Sequence, residues 1–382
     1  MTTPNGVLAG VRIVEIAGIG PGPFCGMLLA DLGADVLTIE RPGDNGPRPA
    51  AIVQRGKRSI TLDLKAPGAC EVVLRLLEDA DGLIEGMRPG VMERLGLGPD
   101  VCLARRPPLV YGRMTGWGQH GPLAPRAGHD SNYTSLAGAL WFASPAGQPQ
   151  QAPATVMGDV AGGALYLALG LVAGILRARA DGCGQVVDAA IVDGTAHTLN
   201  LLLSVAARRG GGFARGIDAS DAAHWAGRSY RCHDGGWINL APLEPQFYAE
   251  LLRRLGLDGD ARFVRGQHDK ALWPELSRHL EHLFAAHDRT HWCAVLDNSD
   301  ACWAPVLCPD EAAEHPHLVA RGTYVRVNGV LQAAPAPRFD VTPSPPLAPV
   351  PPRGAHTQSV LSGLGLTDEE IARLQRPPQA TA

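Results

Sequence analysis

The fold is decided by the stretch Val11–Glu40, VRIVEIAGIGPGPFCGMLLADLGADVLTIE. The β-branched run Val11–Ile16 is typical of a strand, and Asp35–Glu40 predicts a second one. Between them, Phe24–Leu32 has helical spacing, and Gly33 suits the position just after a helix, where a left-handed backbone is common. Strand, helix and strand in this order predict a βαβ unit and therefore a parallel sheet.

The same alternation continues downstream. Further strands are predicted at Lys57–Leu64, Gly82–Gly86, Leu109–Met114 and Gly184–Ala190, and helices at Pro67–Leu77, Val91–Leu95 and Asp193–Val205. A hairpin is predicted around Asp234–Gly236, followed by mainly helical sequence over 246–300. The fold class is therefore α/β, with a doubly wound parallel sheet.

The glycine run Gly18–Pro23 suggests a dinucleotide-binding turn, with Glu40 as the ribose ligand. Its pattern is G-x-G-x-x-P, however, and the proline removes the close helix–strand packing that the third glycine of the motif supplies. Dinucleotide binding is therefore disfavoured.

Composition excludes several classes of protein. The chain has 382 residues, 45% of them hydrophobic, and a net charge of -4, which gives no reason to expect nucleic-acid or anionic-membrane binding. None of the eight cysteines forms a C-x-x-C pair, so a structural zinc site or a redox dithiol is not expected. With no secretory signal at the N-terminus, reduced thiols and a cytoplasmic location are expected.

Two segments each allow two structural interpretations, and the sequence favours one of them in each case. Val160–Leu176 has no charge and reaches the short limit for a membrane span, but its glycines and flanking charges favour a fully buried helix over a span. The histidines at 279, 282, 287 and 291 have spacings that metal sites use. A solvated helical face is favoured over a metal site, because no acidic or cysteine partner completes a ligand pattern.

A histidine and an aspartate, each placed next to glycine, are candidates for an acid/base pair. His129 follows Gly128 in a loop rich in turn formers, and Asp159 follows Gly158 at the start of the apolar segment. Histidine titrates near neutral pH, and desolvation brings a carboxylate towards the same range. By themselves these residues leave two alternatives open: a loop histidine satisfied by backbone groups, and an aspartate that caps a helix.

Short motifs occur together along most of the chain, over roughly residues 8–375. They are Gly10–Glu15, Leu29–Val36, Glu40–Pro42, Asp63–Lys65, Arg88–Val91, Thr115–Gly118, Gly121–Pro122, Ala127–Asp130, Gly158–Asp159, Gly184–Asp188 and Thr367–Ile371. Together they resemble the family III CoA-transferase superfamily. Ala127–Tyr133 and Leu243–Tyr248 look most like its α-methylacyl-CoA racemase branch.

The resemblance implies a fold and an assembly. It implies a large Rossmann-like, CoA-binding domain at 1–205 that is completed by 325–382, a linker at 206–228 and a small α+β domain at 229–320. It also implies an interlocked homodimer, with the active site between the subunits.

The resemblance also implies an activity: the interconversion of (2R)- and (2S)-2-methylacyl-CoA thioesters by proton removal and return through an enolate. His129 and Asp159 would be the two bases, and Glu244, from the small domain, would pair with His129 across the dimer interface. The thioester oxygen would lie near the backbone N–H groups of the Asp159 turn and of Asp130. Acyl-CoA would be the substrate partner, with no other cofactor and no metal.

Matching positions for CoA contain cations and backbone turns. They are Arg41, Leu62, Asp63, Leu64, Lys65, Gly86, Met87, Arg88, Arg94, Gly128, Asp130, Ser131, Asn132 and Tyr133. The sequence departs from the racemase pattern at Met87, where tyrosine is more common.

Two rival functions remain. In CoA transfer between carboxylates, Asp159 would attack the thioester and form a mixed anhydride. The presence of His129, and the absence of an evident glycine-rich lid near 241–245, argue against this. A non-catalytic acyl-CoA-binding relative is the third class, against which the intact His129, Asp159 and Glu244 count. The sequence does not identify the acyl group.

Overall fold

The computed structural model describes residues 6–43, 46–48, 50–145, 147–208, 212–213, 215 and 224–375. The chain divides into two compact units. The first comprises Met1–Ala139, Pro153–Leu199 and Gly322–Ala382, and the second comprises Leu140–Ala152 and Asn200–Arg321. Residues 140–152 and 200–205 therefore group with the second unit, whereas the sequence-based division put them in the large domain.

The first unit is built on a six-stranded parallel sheet with strand order β3-β2-β1-β4-β5-β6. The strands are β1 Arg12–Ile16, β2 Asp35–Glu40, β3 Arg58–Thr61, β4 Gly82–Glu85, β5 Val110–Thr115 and β6 Gln185–Ala190. The chain runs outward from β1 to β3 and then crosses back to β4, so the strand order reverses beside β1. The predicted α/β fold with a parallel sheet is confirmed.

Helices cover both faces of this sheet. They are α1 Pro21–Asp31, α2 Ala69–Leu77, α3 Val91–Arg94, α4 Pro99–Arg105, α5 Asp130–Leu136, α6 Leu165–Asp181 and α7 Ile191–Thr198. Short 3₁₀ turns lie at Ile52–Gln54 and Ala139–Phe142, and a π-helix, Val156–Ala164, leads directly into α6. Neighbouring strand residues join opposite cores: Ile13 packs in the core that contains α1 and α6, and Val14 packs in the core that contains α2.

The expectation that Val160–Leu176 is fully buried is wrong for the chain taken alone. Leu167, Leu171 and Ile175 face the core of the first unit, but Leu169 is 66% and Leu176 is 74% exposed. Within the described residues, Val156–Asp181 is the one helical stretch long and apolar enough to cross a bilayer. Core helices of water-soluble proteins meet the same two criteria, so this test does not indicate a span.

The second unit contains a three-stranded antiparallel sheet of order β7-β8-β9. Its elements are α8 Asn200–Arg208, β7 Ser229–Arg231, β8 Trp237–Leu240, α9 Pro245–Leu255, α10 Ala261–Arg265, α11 Trp273–Ala285, α12 Arg289–Leu296, β9 Trp303–Val306, α13 Pro309–Glu314 and α14 Pro316–Ala320. Tyr230 pairs with Ile238, which confirms the predicted hairpin. Trp225, Phe263 and Phe284 are fully buried in its core.

The chain then returns to the first unit. Its last elements are β10 Tyr324–Val327, β11 Val330–Ala333, α15 Thr357–Gly363 and α16 Asp368–Leu374. Leu361 and Ile371 bury their side chains in the core next to α2. The Thr61 N–H at the end of β3 donates to Thr357 Oγ1, 3.0 Å away. The C-terminal segment therefore covers part of one face of the sheet.

The four histidines lie in or beside α11 and α12. His279 packs edge-on against Phe263, and the His287 and His291 rings stack with centroids 4.0 Å apart. Across the described ranges, no three His, Cys, Asp or Glu side chains form a group able to hold a metal ion. These histidines therefore offer no set of convergent ligands in the part of the chain that the structure describes.

Candidate active site

His129 and Asp159 line the same cavity, which has a volume of about 520 Å³ and lies within the first unit. Its lining includes residues at the carboxyl ends of three strands: Ile16, the last residue of β1, Gly86, which follows β4, and Thr115, the last residue of β5. In parallel α/β sheets, ligands bind at this edge, near the point where the strand order reverses. The topology therefore places both side chains where such folds hold substrates.

The loop that carries His129 is pinned by aromatic side chains. The Tyr133 hydroxyl donates to the Gly128 carbonyl, and the Tyr133 ring packs edge-on against Trp117 at a centroid distance of 4.7 Å. A Cβ atom on Gly128 would lie 2.7 Å from Tyr133, so this packing requires glycine. The His129 N–H donates to Asn132 Oδ1, 3.0 Å away. The backbone of His129 is thus fixed while its imidazole remains exposed to the cavity.

Asp159 is the fourth residue of the π-helix Val156–Ala164, and the residue before that helix is Thr155, with φ of 66°. Asp159 is therefore not a helix N-cap, and that alternative is wrong. π-helical turns are rare and occur often at functional sites. The side chain is half-buried. Burial raises the pKa of Asp159, the nearby Asp130 carboxylate raises it further, and His129 acts in the opposite direction.

The predicted use of the Asp159 turn as an oxyanion-binding group is contradicted. The N–H groups of Gly158 and Asp159 both donate to Asp130 Oδ1, each at 2.8 Å, so they are already occupied. The Asp130 N–H, in contrast, has no hydrogen-bond partner within the described ranges. Of the backbone donors that the sequence suggested, this one remains available.

The glycine-rich turn before α1 faces Asp159. Gly20 has φ of 69°, and a Cβ atom there would lie 3.3 Å from Asp159 Oδ2. The carboxylate of Glu40 is held by Arg48 through two hydrogen bonds of 2.6 and 2.7 Å, so it is engaged by protein groups. The turn at Gly18–Pro23 therefore lies beside a carboxylate, which is unfavourable for a pyrophosphate, and a dinucleotide site is not supported.

A second cavity of about 360 Å³ adjoins the first. It is lined by Ile16, Ala17, Ile39, Glu40, Arg41, Pro42, Leu62, Asp63, Leu64, Lys65, Met87, Val91 and Leu95. Ile16 and Met87 line both cavities and thus form their common wall. The Met87 N–H donates to Glu85 Oε2, 2.7 Å away, which fixes the backbone at this wall.

Comparison with known proteins places this geometry in a family. The model of CoA-transferase family III matches residues 8–357, which is most of the chain. The chain belongs to CoA-transferase family III. It is 39% identical over 370 residues to α-methylacyl-CoA racemase of Mus musculus and 37% identical over 369 residues to that of Homo sapiens, and each alignment covers 96% of both proteins.

Solved structures of the family have the same fold. A CAIB/BAIF family protein from Brucella suis superimposes with a TM-score of 0.79 at 26% sequence identity. The match covers 94% of this chain and 100% of that one. The parallel sheet and its helices are therefore family III architecture.

The predicted CoA-binding positions of this family III chain fall into three groups. Arg41, Leu62, Asp63, Leu64 and Lys65 line the smaller cavity, Gly86, Arg88, Gly128 and Tyr133 line the larger one, and Met87 lines both. Arg94, Asp130, Ser131 and Asn132 line neither cavity. The side chains of Arg41, Lys65 and Arg88 are exposed, so their charges are accessible to an anion.

Glu244 belongs to the second unit. It is exposed and immediately precedes Pro245, the first residue of α9, and its carbonyl accepts from the Tyr248 N–H at 3.0 Å. Its pairing with His129 stays a prediction.

Some cavity residues were missed by sequence reasoning. Arg126, Thr155 and Ile191 line the larger cavity outside every quoted motif, and Ile19 and Trp117 line it within stretches whose motifs gave them no role. Ile19 lies inside the glycine run and is 85% exposed, an unusual state for isoleucine. The glycine run itself was the available signal, because close backbone approach to a functional group is a common reason for glycine.

Proposed function

We propose that this family III protein is a racemase that interconverts the (2R) and (2S) epimers of 2-methylacyl-CoA thioesters. The observation that carries the proposal is the placement of His129 and Asp159 on one cavity, with Asp159 partly desolvated. The similarity to two α-methylacyl-CoA racemases over 96% of the chain supports the same activity.

The proposed reaction balances as two proton transfers. One base takes the α-proton of the thioester, and the C–H electron pair forms the carbon–carbon double bond of an enolate while the charge moves to the thioester oxygen. The conjugate acid of the other base then donates a proton to the opposite face of the α-carbon. His129 and Asp159 are the proposed bases. Each epimer uses them in opposite roles, so no metal or redox group enters the scheme.

The environment of Asp159 suits this double role. A carboxyl group of ordinary pKa is almost fully ionised at neutral pH and is therefore a poor proton donor. A raised pKa brings the carboxyl group closer to the pKa of imidazole. Burial and the Asp130 charge act in that direction. Glu244 of a second subunit is proposed to orient His129 across the dimer interface and to favour its protonated form, as a carboxylate beside imidazole does.

CoA is proposed to span both cavities of the first unit. The adenosine phosphate part occupies the 360 Å³ cavity next to Arg41 and Lys65, and the pantetheine arm passes the wall formed by Ile16 and Met87. The thioester then lies in the 520 Å³ cavity with His129 and Asp159. Two exposed cations at the smaller cavity match the phosphates of the ligand.

Replacing Arg41 and Lys65 together by alanine is expected to raise KM for acyl-CoA about tenfold to a hundredfold, with little change in kcat, because charge-assisted hydrogen bonds contribute about 1.5–3 kcal/mol each before screening. Initial rates at two salt concentrations measure the change in KM. The variant should lose most of the salt dependence of KM. Arg12→Ala, an exposed cation outside both cavities, is the matched control. An unchanged KM in the double variant would remove these residues from the CoA site.

A homodimer is part of the proposal. Leu165, Leu169, Val172 and Leu176 form an apolar stripe along the outer face of α6, and between 37% and 74% of each side chain is exposed in the chain taken alone. Stripes of this kind mark interaction surfaces. A second copy of the chain is proposed to cover this stripe.

Replacing Leu169 and Leu176 by aspartate is therefore expected to shift the protein from dimer to monomer and to reduce activity severely. Sedimentation equilibrium at micromolar concentration measures the shift. Val341→Asp, at a position that is 75% exposed outside α6, is the control and should remain dimeric. A wild-type protein that sediments as a monomer would contradict the proposal.

The proposed setting is cytoplasmic acyl-CoA and lipid metabolism. All eight cysteines of the chain are free thiols. That state suits a reducing compartment.

CoA transfer is the competing activity within the family, and one experiment separates the two. The protein is incubated with one epimer of a 2-methylacyl-CoA and a free carboxylic acid, and the protein from a second sample is freed of small molecules and then treated with hydroxylamine. Racemase activity predicts formation of the other epimer without loss of the thioester. Transfer of CoA to the added acid, with a hydroxylamine-sensitive adduct at Asp159, would instead identify a transferase.

A further inference from the structure

We propose that Asp130 is a positioning residue whose side chain ties the two catalytic turns together and sets the charge next to Asp159. The inference rests on the proposed function and adds to it a role for the side chain of Asp130, a residue that sequence reasoning had placed in the CoA-binding wall and, through its backbone N–H, near the thioester oxygen. Asp130 directly follows His129 in the chain, and its carboxylate binds the turn that carries Asp159.

The contact between the two turns consists of buried groups joined by hydrogen bonds. Asp130 is 7% exposed, and its Oδ1 accepts from the N–H groups of Gly158 and Asp159, each at 2.8 Å. A Cβ atom on Gly158 would lie 2.5 Å from Asp130 Oδ1 and 3.0 Å from Thr134 Cγ2. Thr134, which is 1% exposed, donates its hydroxyl to the Asp130 carbonyl at 3.0 Å. A glycine at 158 is therefore needed for the carboxylate to reach both amides.

The first consequence is geometric. The first N–H groups of a helix have no partner within it, and here one carboxylate oxygen satisfies two of them at the start of the π-helix. Because Asp130 is covalently next to His129, this pair of hydrogen bonds restrains the position of Asp159 relative to His129. A displacement of about 1 Å between reacting groups is enough to reduce a rate about a hundredfold.

The second consequence is electrostatic. The Asp130 carboxylate disfavours a second negative charge on Asp159 and so raises the pKa of Asp159, after burial, which is the larger cause. His129 acts in the opposite sense. Burial raises the pKa of Tyr133, and the Asp159 charge raises it further. The other charged groups on the elements packed against the π-helix are Asp31 on α1, Arg113 on β5, Asp188 on β6, Asp193 and His197 on α7, and Arg177, Arg179 and Asp181 towards the end of α6. Asp31 pairs with Arg55, and Arg113 pairs with Glu85.

Two substitutions separate these consequences. Asp130→Asn keeps a carbonyl oxygen that can accept both N–H bonds but removes the charge, whereas Asp130→Ala removes both. The alanine variant is expected to lose about a hundredfold in kcat for epimerisation. The asparagine variant is expected to recover most of that loss, while the acid limb of its kcat/KM profile moves to lower pH, because an uncharged neighbour lets Asp159 ionise more easily.

The readouts are kcat and KM against pH, together with the titration of the Asp159 carboxyl carbon in Asp-labelled protein without substrate. Asp193→Asn, on the exposed surface of α7, is the matched control and should match the wild type in both. The inference is overturned by an asparagine variant whose Asp159 titration and pH profile equal those of the wild type, or by an alanine variant with wild-type kcat.

Failure of the proposed function and failure of this inference give different results in these experiments. A wild-type protein that does not epimerise any 2-methylacyl-CoA would reject the racemase while the carboxyl titration still decides the electrostatic role of Asp130. If the alanine variant does not fold, the asparagine variant alone carries the test.

Discussion

Asp159→Asn is expected to lower the rate of epimerisation by about two to four orders of magnitude, which is the usual contribution of a positioned general acid or base. Asparagine has nearly the same shape and can accept the same hydrogen bonds, but it neither removes nor donates a proton at this site. The backbone N–H of residue 159 can still donate to Asp130, so the turn keeps its geometry. The loss should therefore be in kcat, with KM nearly unchanged.

The pattern of residual proton exchange distinguishes the loss of one base from general damage to the site. With His129 still present, the variant should exchange the α-proton of the epimer that presents it to His129, without inverting the carbon. Deuterium incorporation into each epimer, followed by chiral chromatography of the acids, measures this. Asp181→Asn, at the exposed C-terminal end of α6, is the control and should keep full activity. Full epimerisation by Asp159→Asn would show that another group is the second base.

His129→Gln is expected to produce a loss of similar size with the opposite stereochemical bias. Glutamine keeps a polar side chain but has no group that titrates near neutral pH. Residual exchange should occur only in the epimer whose α-proton faces Asp159. The backbone bond from the N–H of residue 129 to Asn132 does not depend on the imidazole, so the loop should remain folded.

The matched control for this variant is His120→Gln. His120 is also exposed and lies in the same segment between β5 and α5, but it does not line the 520 Å³ cavity. Circular dichroism and the thermal midpoint should be unchanged in both variants. Loss of activity in His120→Gln, or wild-type activity in His129→Gln, would contradict the assignment.

The sheet could be predicted closely because its signals are local. The strand β2 has the predicted bounds, Asp35–Glu40, since β-branched residues and a flanking glycine define it without help from the rest of the chain. The helix α1 starts at Pro21 and not at Phe24, because the first turn of a helix tolerates proline. The predicted helix 193–205 is divided, with α7 ending at Thr198 and α8 beginning at Asn200.

The site could be predicted only in part because its contacts join distant residues. His129 and Asp159 are both in the cavity, as motif resemblance implied. The bonds from Gly158 and Asp159 to Asp130 connect residues 28 and 29 positions apart and have no local pattern. The π-helical turn was equally invisible, since the apolar spacing of 156–164 does not distinguish it from an α-helix. The exposed stripe on α6 was missed because a uniformly apolar segment does not reveal which face packs on the core.

The most direct test of the two-base proposal follows both hydrogen and configuration in one reaction. Each pure epimer of a 2-methylacyl-CoA is incubated with wild-type protein in D₂O, and early samples are analysed for α-deuterium and for configuration. The account predicts that inverted product appears from either epimer, with one deuterium at the α-carbon and the thioester intact. An intact thioester with neither inversion nor α-deuterium, at full CoA binding, would contradict it.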